Sequence, residues 1–402
     1  MMQNKIKYLA LLILIMSFSL NGIAQDQSIT ILKQILDNNQ ELKLARSQVD
    51  RMLIEAKIGL TPNNPEIEYG YLWANEAENG NRIDFSIKQS FDFPSVYVNR
   101  YKLSKLKGSH AQLYYRSIQQ ELVLKTMIVL IDLTYKNKQL SVLKERLENV
   151  EKVEQMTNKM FKEGEVGRIE TDKASLQSIN LLSEYDLCLS DIEVLTTDLK
   201  VLNGSLDLKV DVQLYPVYLN VNNLDGLQKS FVYDDLTIVR LQSEIEMSNQ
   251  EIKLSKSELF PEISFSYVSE SIRDAQLKGF KGGISIPLWQ KRNTVKHSKI
   301  ALNMKEAEKG YEIQRKEADW EKHYSLYKSR SERLNSMSKI LKRVAPYRSL
   351  LMAFELGEIS LLNYITESSF YYKSEDNLLR LEKEMYKALA ELLKVDIVRQ
   401  LN

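Results

Sequence analysis

The sequence predicts a mainly helical chain that also carries four β-strands and is laid out as a tandem repeat. Three observations predict it. First, the 402 residues include only 14 Gly and 7 Pro, where ordinary usage would give about 28 and 20; so few chain-reversing residues imply long uninterrupted elements and argue against doubly wound, propeller and sandwich folds. Second, Phe161-Lys162-Glu163-Gly164-Glu165-Val166-Gly167 recurs as Phe354-Glu355-Leu356-Gly357-Glu358-Ile359-Ser360, an offset of 193 that also carries Pro94 to Pro287. Third, the apolar period is two in short stretches between prolines and helical elsewhere.

The first 24 residues read as a cleaved secretory signal. Lys5 and Lys7 precede an apolar run from Tyr8 to Leu20, and Asn21-Gly22-Ile23-Ala24-Gln25 supplies small residues at the cleavage positions. The run is shorter than the ~20 residues a spanning helix needs. Residues 25–210 form the first repeat and 211–402 the second.

Each repeat contributes a β-hairpin. Asn64-Pro65-Glu66-Ile67 matches Phe260-Pro261-Glu262-Ile263 and opens it. In the first hairpin, about 65–93, Ile67, Tyr69, Tyr71 and Trp73 share one face, as do Ile83, Phe85, Ile87, Phe91 and Phe93 opposite Asp84, Ser86, Lys88, Ser90 and Asp92. In the second, about 261–288, Ile263, Phe265 and Tyr267 share a face, followed by Phe280, Ile284, Ile286 and Leu288 opposite Lys281, Gly283 and Ser285. Polar loops are expected near Ala74–Asn81 and Glu270–Gly279.

Helices follow the hairpins. Leu140, Leu143, Leu147 and Val150, and likewise Leu378, Leu381, Met385, Ala388 and Leu392, step by three and four like a coiled-coil seam. From Pro94 to Gly164 only Gly108 interrupts the run; seventy helical residues would span ~105 Å. Gly164 and Gly357 supply positive φ, so 161–167 and 354–360 are read as helix-turn-helix tips. Pro346 has no counterpart in the first repeat and predicts a kink.

Strands of about ten residues with one apolar face and one polar face fit a membrane-spanning barrel, lipid outside and water inside. Four strands cannot close, and an open edge in lipid costs several kcal/mol per unpaired backbone group. Three copies would supply twelve strands. Ile83, Phe85, Ile87, Phe265, Tyr267, Ile284 and Ile286 would then face lipid.

The repeat, the N-P-E-I and F-P-E-I strand starts, the proline after each second strand and the F-x-x-G-E-[VI]-[GS] breaks resemble the TolC-like outer-membrane efflux proteins over nearly the whole mature chain. Asn38-Asn39-Gln40-Glu41-Leu42 is similar to that family's early Asn-Pro-x-Leu segment, with Gln40 in place of the proline. The resemblance implies a homotrimer in outer-membrane lipid, with a twelve-stranded barrel continuing into a periplasmic helical barrel. It also implies a passive exit duct serving a periplasmic adaptor (membrane fusion) protein and an inner-membrane pump, of resistance-nodulation-division type, for metal cations or small toxic compounds. By the same resemblance Phe161, Gly164, Glu165, Val166, Phe354, Gly357, Glu358 and Ile359 would touch the adaptor. Glu170, Asn363, Thr366 and Glu367 fall near positions that in some relatives carry an acidic entrance ring. Type I protein secretion, and an exported coiled-coil scaffold without a barrel, are the alternatives.

Nothing in the sequence indicates catalytic, cofactor or metal chemistry. His110, His297 and His323 lack metal-ligand spacing, Cys188 is the one cysteine, and no P-loop, dinucleotide fingerprint or nucleophile elbow occurs. Met156 and Met160 fit an apolar stripe better than a soft-metal site. The 55 basic and 54 acidic residues give a net charge of +1 and are scattered along the chain, without the basic excess of a nucleic-acid binder.

Overall fold

The structure is a computed structural model that describes residues 29–75, 80–208, 214–216, 224, 226–272, 275–343 and 347–401. The signal segment and Pro346 lie outside these. Helix α1 covers 29–38. There follow α2 (Gln40–Glu55), β1 (Glu66–Leu72), β2 (Arg82–Phe91), α3 (Pro94–Glu163), α4 (Arg168–Leu202), α5 (Leu227–Tyr233), α6 (Leu236–Ser257), β3 (Glu262–Ile272), β4 (Ala275–Ser285), α7 (Thr294–Leu341), α8 (Tyr347–Glu355) and α9 (Leu361–Leu401). The chain divides into two compact units. One comprises the residues up to Lys43, Ile118–Asp234 and those from Lys316 on; the other comprises Leu44–Ser117 and Asp235–Arg315.

The second unit holds one antiparallel sheet in the order β1-β2-β3-β4. Its register aligns the apolar faces of both hairpins: Ile67, Ile87, Tyr267 and Phe280 form one row, and Phe91, Ile263 and Ile284 another. Paired residues in a sheet point to the same side, so the two period-two patterns merge into one face. The edge strands β1 and β4 each keep one side unpaired within the chain.

Two expectations for the second hairpin need correction. No polar loop runs from Glu270 to Gly279; the ladder continues to the Ile272–Ala275 pair. The alternation is hidden there because Ser269, Ser271, Gln276 and Lys278 continue the face that carries Tyr267 and Phe280. Backbone pairing extends the strands regardless of side-chain polarity. Ile286 lies one residue past the end of β4, although it is exposed.

In the first unit the predicted α3 seam is buried against α4: Leu143 and Val150, with Leu140 and Leu147, pack on Leu181, Cys188, Tyr185 and Ile192. Burial raises the Cys188 thiol above its ordinary pKa, and the Lys136 charge opposes this. In the second repeat α7 ends at Leu341 and α8 begins at Tyr347; the kink expected at Pro346 falls outside the described residues.

Asn38 and Asn39 tie the N-terminal helices to the end of α4. Asn39 Oδ1 accepts the Leu42 N–H at 3.0 Å, capping α2, while its Nδ2 donates to the Leu202 carbonyl at 2.8 Å. Asn38 donates to Asn203 Oδ1 at 3.0 Å. Gly204, at φ +67°, closes the junction; a Cβ there would lie 2.4 Å from the Asn38 carbonyl oxygen. Gln40 is the first residue of α2, the position where proline is tolerated but not required.

Candidate functional site

Both glycine tips are built alike. In the first, the Gly164 N–H donates to the Phe161 carbonyl at 3.1 Å and the Glu165 N–H to Met160 at 2.9 Å; in the second, Gly357 donates to Phe354 at 3.0 Å and Glu358 to Ala353 at 2.8 Å. These are paired Schellman bonds, which satisfy the last carbonyls of a helix and require a left-handed residue at the glycine. Gly164 has φ +78° and Gly357 φ +74°. A Cβ would meet nothing within 4 Å at either glycine, so substitution cost there is backbone strain alone. Gly357→Ala is expected to cost about 1–2 kcal/mol, Gly357→Asn less and Gly357→Val more, read as proteolytic nicking at the tip.

The phenylalanines differ between tips. Phe161 is 44% exposed, but Phe354 is 6% exposed and packs on Tyr364 with ring centroids 5.5 Å apart. Its core includes Val153, Ala174, Leu351, Leu361 and Tyr372, with Met156 and Met160 against it. Phe354 therefore has no surface to offer a partner, contrary to the expectation. Leu356, unremarked in the sequence, is 71% exposed at the second tip. Its signal is an apolar residue between Glu355 and the helix-ending Gly357.

Asn363, Thr366 and Glu367 come together on one exposed face of α9, bordered by exposed Leu362 and Phe370. The Thr366 hydroxyl is occupied, donating to the Leu362 carbonyl at 2.8 Å. Glu170 belongs to a different helix. It lies in the first turn of α4, with Oε2 3.0 Å from where a Gly167 Cβ would sit; there a carboxylate complements the helix dipole.

The sheet has two unlike faces. On the apolar one Ile67, Phe265, Phe280 and Ile284 are 62% to 89% exposed. The other lines a hollow of about 730 Å³ with Glu68, Arg82, Asp84, Lys88, Glu270 and Lys281 among its walls. Charges there are partly matched: Lys88 lies 3.0 Å from Glu66, and Arg82 2.8 Å from Asp84 and 3.1 Å from Glu270. In the other unit, α4 turns a second apolar stripe outward, with Ile169, Leu176, Ile179, Leu187, Val194 and Val201 all more than half exposed.

Solved structures share this architecture. The chain superposes on CusC, a protein of transmembrane channel formation, with TM-score 0.79 at 16% identity and 92% of each chain covered. It matches the Campylobacter jejuni CmeC outer-membrane channel with TM-score 0.71, 15% identity, and 92% of this chain and 85% of that one covered. The open state of the Neisseria gonorrhoeae MtrE outer-membrane channel gives TM-score 0.73, 13% identity, and 92% and 88% coverage. The fold is TolC-like. No protein-family model and no curated protein sequence matches the chain.

In this TolC-like fold the glycine tips are the reversals between α3 and α4 and between α8 and α9. No described helix is long and apolar enough to cross a membrane. Among the described residues no group of three or more His, Cys, Asp or Glu comes together as a metal site. His110 stands 3.7 Å from Glu244; burial pushes its imidazole below the ordinary histidine pKa, opposed by the Glu244 charge.

Proposed function

We propose that the chain is one protomer of a trimeric outer-membrane duct through which cargo leaves the periplasm passively. The sheet carries this reading. It presents an exposed apolar face and a charged concave face, and it ends in two unpaired edges. In hydrocarbon those edges must pair; three copies close a twelve-stranded barrel, within the range of such barrels. The α4 stripe supports the same assembly, since an apolar helix face of that length seeks a neighbour.

The duct performs no chemistry; the partner pump selects the cargo. The resemblance assigns it a periplasmic adaptor and an inner-membrane pump of resistance-nodulation-division type, and metal cations or small toxic compounds as cargo. Phe161, Gly164, Glu165, Val166, Leu356, Gly357, Glu358 and Ile359 form the surface for the adaptor, whereas Phe354 supports it from the core. Asn363, Thr366 and Glu367 line the periplasmic entrance, and cleavage after Ala24 releases the exported chain.

Purified protein is expected to run as a heat-labile trimer and to open long-lived conductances in planar bilayers. The variant Leu187→Glu/Val194→Glu should run as a monomer and conduct nothing. A wild-type chain that stays monomeric and water-soluble without detergent would overturn the reading.

A further inference from the structure

The overall charge balance conceals two one-sided stretches. No Asp or Glu occurs between Asp92 and Glu121, nor between Asp274 and Glu306. These stretches hold the starts of α3 and α7, the two helices that directly follow strands, and neither has an acid in its first turn. Helix starts ordinarily favour acids; α5, α6, α8 and α9 lack them too, so it is the length of the acid-free stretches that sets α3 and α7 apart. What they carry instead is Lys102, Lys105 and Lys107 on α3, and Arg292, Lys296 and Lys299 at α7, all exposed.

Local acids do not neutralise them. Glu258 is engaged by Arg100 at 3.6 Å and Lys291 at 3.4 Å, and Glu244 by Lys305 at 2.7 Å. Among the described residues no ion pair involves Lys102, Lys107, Arg292, Lys296 or Lys299, and Lys105 lies over the Tyr101 ring at 4.8 Å. Lys296 and Lys299, three residues apart on α7, share one side of the helix, and Arg292 sits in the turn just before it.

Their position relative to the apolar band decides the partner. Ile286, Leu288 and Trp289, 61%, 65% and 81% exposed, end that band immediately before Arg292. Lys299 lies about 8 Å along the axis from Thr294, and Lys102 about 12 Å from Pro94, at 1.5 Å per residue. Helical side chains lean toward the helix N-terminus, which for both helices is the sheet end, so the cations reach back toward the band. An interfacial zone about 5–8 Å deep adjoins each side of the hydrocarbon, within reach of Arg292, Lys296, Lys299 and Lys102; Lys105 and Lys107, about 17 and 20 Å along α3, lie beyond it.

We propose that this basic collar binds the anionic phospholipid headgroups of the leaflet adjoining the helices, fixing the depth at which the sheet sits. The inference rests on the membrane reading of the sheet. Charge complementarity fits any polyanion at that level, the cell wall included; continuity with the exposed border of Ile286, Leu288 and Trp289 favours lipid.

The test uses full-length trimer retaining Trp289 as its one tryptophan (Trp73→Phe, Trp320→Phe) in phosphatidylcholine vesicles. Increasing fractions of the lipid are replaced by phosphatidylglycerol or phosphatidylcholine brominated near the headgroup, and Trp289 quenching is recorded. Brominated phosphatidylglycerol should act at about fivefold lower fraction. That preference should vanish at about 1 M salt, where the screening length is about 3 Å, and in Arg292→Gln/Lys296→Gln/Lys299→Gln. It should survive in Arg292→Lys/Lys296→Arg/Lys299→Arg, which shows that charge rather than folding is read. Equal quenching by both lipids would overturn the collar and leave the membrane reading standing. Charge-dependent sedimentation with isolated cell-wall sacculi in place of a lipid preference would reassign the surface and overturn the proposal. Absence of quenching by either lipid would overturn the membrane reading itself, and the collar with it.

Discussion

Phe265→Arg is expected to abolish insertion into a bilayer while leaving the helical unit folded. Phe265 is 62% exposed on the apolar face, and its row neighbours are Gln89 and Gly282, neither large enough to shield a charge. The row lies one step from that of Ile284 and three from that of Ile83, inside the apolar band, where an arginine on the lipid face costs up to about 2–4 kcal/mol. With three copies in one barrel the total reaches about 6–12 kcal/mol, comparable to the whole stability of an ordinary domain. Ser266→Arg is the matched control, because the next residue points to the charged hollow beside Lys281. Refolding into vesicles, followed by the heat-dependent shift on gels, should fail for Phe265→Arg and succeed for Ser266→Arg. Equal insertion of both would mean that the apolar face meets something other than hydrocarbon.

The second large effect is expected at Arg146. Its side chain is 4% exposed and reaches Glu375 and Asp376 at 2.9 Å each. It also donates to the Tyr372 carbonyl at 3.2 Å, with its guanidinium 4.4 Å from the Tyr372 ring centroid. Burial opposes the charge, but the bonds to Asp376 and Glu375 more than compensate and leave the pKa raised. Arg146 is buried but Glu375 and Asp376 stay 32% and 44% exposed, so removing the arginine costs about 2–3 kcal/mol in lost charge-assisted hydrogen bonds. For Arg146→Ala, amide hydrogen exchange around Tyr372–Asp376 should accelerate by about a hundredfold. Arg348→Ala offers the contrast: that arginine pairs with Glu145 at 3.4 Å with both side chains more than half exposed, so the loss should stay below about 1 kcal/mol. If the two variants exchanged alike, α9 would be held by packing alone.

The punctuation of the fold was legible because each element needs a specific backbone at its ends. Proline borders every hairpin, and glycine at positive φ ends both tip helices, so local chemistry sufficed. The burial of Phe354 was not legible: it occupies the same place in the motif as Phe161, and only Tyr364, reached through the turn, distinguishes them. The outer half of the second hairpin was hidden for another reason. Serines and Lys278 replace the apolar alternation there, while the ladder forms from backbone groups common to every residue. The tie between Asn39 and Leu202 joins positions too far apart in the chain for any periodicity to report. Asn363, Thr366 and Glu367 share a face because helical spacing dictates it, yet their role at an entrance comes from resemblance alone.

The outward stripe of α4 also bears on the time course of assembly. A chain that has folded its own helices still displays Leu176, Leu187 and Val194 to water. If the chain assembles as proposed, such a protomer is a reactive species whose lifetime depends on meeting another copy, and trimer yield should rise steeply with protomer concentration. At low concentration the stripe is exposed long enough to demand a holdase, and any chaperone that covers it competes directly with the second copy. In the proposed trimer stability would no longer belong to the single chain, and unfolding would be inseparable from dissociation.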